Sequence, residues 1–167
     1  ASLGISDALA TALMEIRGFK AEDFAIFHPG GSLGRQLARV KSIMHKDNLP
    51  IINLSTTLYD ALFKIIECKL GIAIITDDNN ILSGIIVDGD LKRLLIKNKS
   101  AENILSKNVE EIMNKNPKVI YEDTLIGEAL HIMEGKITNL VVVEDTDRGK
   151  IPIGIVHIHD ILKIKAF

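Results

Sequence analysis

The chain alternates continuous apolar runs with stretches in which apolar residues recur every three or four positions, and this order of patterns occurs twice. Continuous runs rich in β-branched residues are typical of buried strands, and the wider spacing is typical of helices. Each copy predicts a strand, a helix, two strands and a helix over roughly 55 residues. Turn-forming residues at 77–80 and 145–149 separate the paired strands. Two hairpins are therefore predicted.

The most regular feature of each copy is a strand that runs into a helix with a carboxylate at the junction. Asp90 follows Gly84 by six residues, and Asp160 follows Gly154 by the same interval, 70 positions further along. An acid in the first turn of a helix stabilises the helix dipole. A carboxylate can also accept hydrogen bonds from the hydroxyls of a ribose or another sugar. The residues alone leave both interpretations open.

A single repeat of this size is too small to cover its own sheet, so we expect the two copies to stack sheet against sheet. The fold class is accordingly α/β, with repeats at 41–104 and 105–167 joined by a polar linker. A helical segment, residues 1–40, precedes them. Within it, apolar spacing predicts an amphipathic helix over 7–17, capped by Ser6 and ended by Gly18.

Composition excludes several classes of function. Hydrophobic residues make up 47% of the chain, enough for a packed core, and the net charge of −2 with few aromatic residues argues against a nucleic-acid partner. The single cysteine, Cys68, cannot form an internal disulfide, which favours a reducing, cytoplasmic location. No apolar run approaches the about 18 residues that a membrane span requires.

A glycine-rich turn near the start is the first candidate for chemistry. His28 precedes Pro29-Gly30-Gly31, and Ser32 can cap the helix that follows. Glycines before a helix leave backbone N–H groups open to an anion, although a plain loop explains the same residues. His28 is the one side chain here that can transfer a proton near neutral pH, but no neighbour in the sequence completes a catalytic set.

Two further groups of residues have a structural explanation. His157 and His159 would share one face of a strand if extended, but no third ligand has convincing spacing, so we predict no metal site. Lys92 and Arg93 follow the first junction and could meet a phosphate, but a solvated helix face is the preferred interpretation.

The repeat resembles the tandem cystathionine β-synthase-type (CBS) module over about residues 41–167. The matching residues are the Ile-Met starts, the Ala-Leu helices and the junction acids: Ile43-Met44, Ile112-Met113, Ala61-Leu62, Ala129-Leu130, Asp90 and Asp160. The resemblance implies that the junction acids hold the ribose of an adenine nucleotide, with a Thr or Ser three residues earlier. Val87 and His157 occupy those earlier positions. The predicted effector cleft therefore comprises Val87, Asp90, His157 and Asp160, without the usual hydroxyls.

The preceding segment resembles the end of a sugar isomerase (SIS) domain. The matching stretches are Gly18-Phe19, residues 21–25 and the run from His28 to Arg35. An SIS domain followed by two CBS repeats is similar to the D-arabinose 5-phosphate isomerases of lipopolysaccharide and capsule biosynthesis, which interconvert ribulose 5-phosphate and arabinose 5-phosphate. The resemblance implies that His28 lies at the active site of a longer parent whose other catalytic residues precede Ala1. We expect this chain alone to be inactive.

Two functions follow as expectations. The chain is either a regulatory module that senses AMP, ATP or CMP-Kdo and requires no cofactor, or a ligand-free module that holds catalytic subunits together. The resemblance implies a homodimer through the CBS pair and a homotetramer in the parent. A CBS pair from another enzyme or transporter is the third interpretation, and the segment from His28 to Gly31 argues against it.

Overall fold

The computed structural model describes residues 2–18, 37–97, 102–135 and 137–165. His28 and its glycine-rich turn lie outside these residues. The helices within them are α1 (Ser2–Ile16), α2 (Leu58–Cys68), α3 (Asp88–Lys97), α4 (Glu102–Leu105), α5 (Ile126–Met133) and α6 (Ile158–Lys165). The strands are β1 (Ile51–Asn53), β2 (Ile72–Thr76), β3 (Leu82–Val87), β4 (Val119–Ile120), β5 (Asn139–Thr146) and β6 (Gly149–His157).

Each repeat builds one three-stranded sheet, with strand orders β1-β2-β3 and β4-β5-β6. The first strand of each sheet is parallel to the second, and the second and third form an antiparallel hairpin. In the first hairpin, the Asp77 carboxylate accepts hydrogen bonds from the backbone N–H groups of Asn79 and Ile81. The turn-forming residues therefore stabilise the turn directly. The predicted fold class and both hairpins are confirmed.

The two sheets pack against each other through an apolar layer. Because side chains alternate along a strand, each strand also supplies residues to the helices on its other face. The layer between the sheets consists of Ile72, Ile74, Ile85, Val141, Val143 and Ile155, all at most 9% exposed. Each repeat thus buries a sheet face that it could not cover alone.

The segment at the start of each repeat packs on the opposite repeat. Val40 and Met44 contribute to the core of the second repeat, whereas Val109 lies in the core of the first. His45 exchanges two backbone hydrogen bonds with Ile155, and Asn114 exchanges two with Ile85. These reciprocal contacts tie the repeats together and make Asn114 the structural counterpart of His45. The boundaries at 41–104 and 105–167 stay a prediction.

Helix α1 begins at Ser2, five residues before its predicted start, so the expected cap at Ser6 is wrong because Ser6 lies inside the helix. Gly18 ends the helix as expected, with φ of 59°. The apolar side chains of α1 stay exposed, from 45% at Met14 to 82% at Ile16. Within the described ranges, no helix combines the length and apolar character needed to cross a bilayer.

Candidate ligand cleft between the repeats

A cavity of about 630 Å³ opens where β3 runs into α3 and β6 runs into α6. Both junctions lie at the same end of the stacked sheets, so residues of both repeats line it. They include Val87, Asp88, Arg93, Asn139, His157 and His159. A second cavity of about 330 Å³ lies beside α3 and shares Val87, Arg93 and Asn139 with the first. The two cavities are therefore neighbouring parts of one cleft.

Asp90 lies in the first turn of α3 and lines the smaller cavity. Its Oδ1 accepts a hydrogen bond of 2.7 Å from Nη2 of Arg93, one helical turn further along. No partner for Oδ2 of Asp90 is found among the described residues. The negative charge of Asp90 thus stabilises the N-terminus of α3 through the helix dipole, and its second oxygen is available to a ligand.

Asp160 lies in the first turn of α6 but has different surroundings. His45 Nε2 donates to its Oδ2 at 2.8 Å, and Lys163 Nζ donates to its Oδ1 at 3.0 Å. Burial by itself would raise the pKa of Asp160, but the hydrogen bonds and charges of His45 and Lys163 outweigh it, so the pKa lies below the ordinary range of a carboxyl. Asp160 therefore stays a carboxylate, and each of its oxygens accepts a hydrogen bond from a side chain.

His157 is the last residue of β6 and lines the larger cavity. Its Nδ1 accepts a hydrogen bond of 3.1 Å from the backbone N–H of His159, the second residue of α6. The two rings meet edge to face, with centroids 4.7 Å apart. The extended arrangement considered from the sequence is not formed, because the strand ends between the two histidines. Among the described residues, no group of three metal-ligating side chains is found.

Asn139 is the buried polar residue that sequence reasoning missed. It opens β5, is 5% exposed and lines both cavities. Its Nδ2 donates to Oγ1 of Thr138 at 3.2 Å, whereas its Oδ1 has no hydrogen-bond partner within the described part of the chain. Asn139 lies opposite His157 in the second hairpin, as Ile72 lies opposite Val87 in the first. Comparing the repeats position by position would have revealed this polar replacement.

The structure brings three of the four predicted cleft residues to the cavities. Val87 lines both, Asp90 lines the smaller and His157 the larger. Asp160 lines neither. The predicted catalytic residue, His28, lies outside the described residues. Arg93, for which the sequence favours a solvated helix face, also lines both cavities.

We expect the imidazole of His157 to titrate below its ordinary value of 6.5 because burial, and then the neighbouring His159, lower its pKa. The unfolded chain then binds this proton more tightly than the folded chain, so the contribution of His157 to stability is lost as the pH falls from about 6.5 through the lower pKa of the folded state. A histidine NMR titration of the protein and its His157→Gln variant measures this midpoint. A His157 midpoint above 6.5 would contradict the expectation.

Each copy of the strand-helix-strand-strand-helix repeat builds one sheet, and the two sheets stack. A cleft lies between them at the strand-to-helix junctions. This arrangement defines the protein as a tandem domain pair. The family model for the CBS domain matches residues 40–97 and 109–166. The chain belongs to the CBS domain family.

The chain is also similar to curated isomerases. It is 41% identical over 97% of its length to arabinose 5-phosphate isomerase KdsD of Pseudomonas aeruginosa, covering 49% of that protein. It is 38% identical over 98% of its length to KdsD of Escherichia coli K12, covering 48% of that protein. The chain thus spans about half the length of the curated relatives it matches.

Solved structures of CBS pairs share the fold. CBSX2 in complex with AMP is 29% identical with a TM-score of 0.63, covering 77% of this chain and 96% of that one. The CBS domain pair of protein MJ0100, in complex with 5′-methylthioadenosine and S-adenosyl-L-methionine, is 26% identical with a TM-score of 0.67, covering 78% and 97%. These two neighbours are described with adenosine-containing ligands.

Proposed function

We propose that this chain is the regulatory CBS pair of an arabinose 5-phosphate isomerase, and that its cleft binds a nucleotide or nucleotide-activated sugar such as AMP, ATP or CMP-Kdo. The observation that carries the proposal is the continuous cleft at the two strand-to-helix junctions, with a buried polar acceptor, Asn139, in its wall.

The chemistry of the cleft supports a ligand with hydroxyls and a negative charge. Asp90 offers an acceptor oxygen to sugar hydroxyls. Arg93 and Lys118 supply positive charge, and the first turns of α3 and α6 present backbone N–H groups at the positive ends of their dipoles. A phosphate beside a ribose matches this combination, and the ligands of CBSX2 and MJ0100 supply a precedent for adenosine compounds.

The relatives support the identity of the parent enzyme. The KdsD isomerases are about twice as long as this chain, which matches them along nearly all of its length. We propose that a longer parent interconverts ribulose 5-phosphate and arabinose 5-phosphate in the cytoplasm, with His28 at its active site. The exposed apolar side chains of α1 fit a helix that packs against this catalytic part, since burying them removes apolar surface from water.

A second function, dimerisation without a ligand, is supported by the outer face of α2. Tyr59, Phe63 and Ile66 form an exposed stripe at helical spacing, with Phe63 58% exposed. The equivalent positions in the second repeat are Gly127, His131 and Glu134, which are not apolar. Such a one-sided stripe suits contact with a second copy of the chain, which would hold the catalytic subunits of the parent together.

Nucleotide binding predicts a concentration-dependent rise in melting temperature. AMP, ATP and CMP-Kdo are each titrated against the purified 167-residue chain by differential scanning fluorimetry. At a concentration about ten times Kd, the ligand that binds raises Tm by about 3–5 °C. Adenosine and cytidine, which lack the phosphate, are the matched controls and are expected to give smaller shifts.

The result separates the two functions. No shift with any of the three nucleotides would overturn sensing. Dimerisation that persists in that case, but is lost in Phe63→Glu by analytical ultracentrifugation, would favour the second function. A shift that Phe63→Glu leaves unchanged would favour the first.

A further inference from the structure

We propose that each chain holds one anionic ligand, in the cleft beside Asp90, and that the equivalent position beside Asp160 is closed. The ligand carries a phosphate and, next to it, a hydroxyl group that donates to Asp90. This inference rests on the proposed function. It assigns the bound ligand to one of the two strand-to-helix junctions, which are equivalent in the repeat.

The two junction acids differ in the oxygen atoms that a ligand can reach. Asp160 binds Lys163 through one oxygen and His45 through the other, at 3.0 and 2.8 Å. Asp90 binds Arg93 through Oδ1 alone, so its Oδ2 is open to a hydroxyl donor as far as the described residues show. A hydroxyl approaching Asp160 would have to share its oxygens with Lys163 and with His45, whose counterpart at Asp90 is the shorter Asn114.

Positive charge is distributed unequally as well. Lys118 immediately precedes β4 and lines the cavity beside Asp90. The residue that immediately precedes β1 is Pro50, which is buried and uncharged. Arg93 and Lys118 together therefore give the first position two cations for a phosphate, whereas the second position has no cation in place of Lys118.

The two repeats also differ in the residue that begins the middle strand of each sheet. Ile72 is fully buried and belongs to the apolar layer between the sheets. At the equivalent place, Asn139 presents an oxygen that no described residue satisfies. A buried acceptor without a partner costs about 1–3 kcal/mol. The cavity of about 330 Å³ that Asn139 lines also contains Asp90, Arg93 and Lys118.

A nucleotide and a sugar phosphate share the chemistry that this position requires. The test therefore uses AMP, ribose 5-phosphate and adenosine as probes, with isothermal titration calorimetry on the 167-residue chain. We expect one site per chain for AMP. If ribose 5-phosphate binds as tightly as AMP, the ligand is a sugar phosphate, and if it binds more weakly, the base contributes. Adenosine is expected to bind most weakly because it cannot use Arg93 and Lys118.

Matched variants locate the site. Asp90→Asn is expected to weaken binding of AMP by about tenfold or more, because it removes a charge-assisted hydrogen bond. Asp160→Asn, the same change at the equivalent position, is expected to leave Kd within about twofold. Lys118→Gln is expected to weaken AMP binding and to reduce its dependence on salt. Circular dichroism melting of each variant verifies that it is folded at the temperature of the titration.

Different outcomes would overturn different claims. Two sites per chain, or a loss of affinity in Asp160→Asn with Asp90→Asn unaffected, would overturn this inference while leaving nucleotide sensing intact. No binding of AMP, ATP, CMP-Kdo or ribose 5-phosphate to the folded chain would overturn the proposed function itself, and this inference with it.

Discussion

Gly84→Ala is expected to lower the free energy of unfolding by about 1–3 kcal/mol, because the added methyl group has no room. A Cβ atom at residue 84 would lie 2.7 Å from the sulfur of Met113 and 2.8 Å from the backbone oxygen of Asn114. The segment containing these two residues crosses β3 and hydrogen-bonds to Ile85, so it would have to move away from the first repeat. Urea unfolding of both proteins measures the difference.

Two other glycines provide controls for Gly84→Ala. In Gly154→Ala, the nearest atoms, in Met44 and His45, lie at 3.0 Å, so a smaller loss is expected. In Gly127→Ala, no atom lies within 4 Å, and replacing glycine in helix α5 is expected to stabilise the protein by about 0.5–1 kcal/mol. Equal stabilities for Gly84→Ala and Gly127→Ala would show that the close crossing at Gly84 is not a constraint.

Asn139→Val is expected to raise the free energy of unfolding of the ligand-free chain by about 1 kcal/mol, and to weaken AMP binding by about fivefold or more. Valine removes the buried oxygen that has no partner in the described structure, at the loss of one 3.2 Å hydrogen bond to Thr138. The affinity loss is expected because Asn139 lines both cavities, so the substitution changes the wall that the ligand contacts. Urea unfolding and calorimetry measure the two effects.

Ile72→Val is the matched control at the equivalent position of the first repeat. Removing one buried methylene there is expected to cost about 0.5–1.5 kcal/mol and to leave AMP binding unchanged. A loss of stability in Asn139→Val comparable to that in Ile72→Val would show that Asn139 contributes to packing. Unchanged AMP affinity in Asn139→Val would show that the ligand does not reach residue 139.

Most of the secondary structure could be predicted from the sequence because it depends on local patterns. The aliphatic runs of β2 and β5 have no helical periodicity, and the spacing in α2 and α5 fits a buried helix face. The start of α1 could not be predicted from Ser6, because a serine can cap a helix or lie inside it. Local residues therefore fix the type of an element more firmly than its ends.

The candidate site was predicted only in part, because the repeat makes Asp90 and Asp160 look alike. Their difference comes from His45, which is 115 positions from Asp160 in sequence and reaches it through the crossing segment. The importance of Asn139 was likewise hidden, since a polar residue at the start of a strand does not reveal whether its oxygen will find a partner. Both features depend on contacts between the two repeats.

The sequence by itself determined the duplicated α/β unit and its strand-to-helix junctions with Asp90 and Asp160, because hydrophobic periodicity and the repeat are properties of the chain. Only the tertiary structure decided which junction acid keeps an open oxygen, why Gly84 leaves no space for a side chain, and where the buried acceptor of Asn139 lies. The physical reason is that these properties arise where one repeat packs on the other, between residues far apart in sequence.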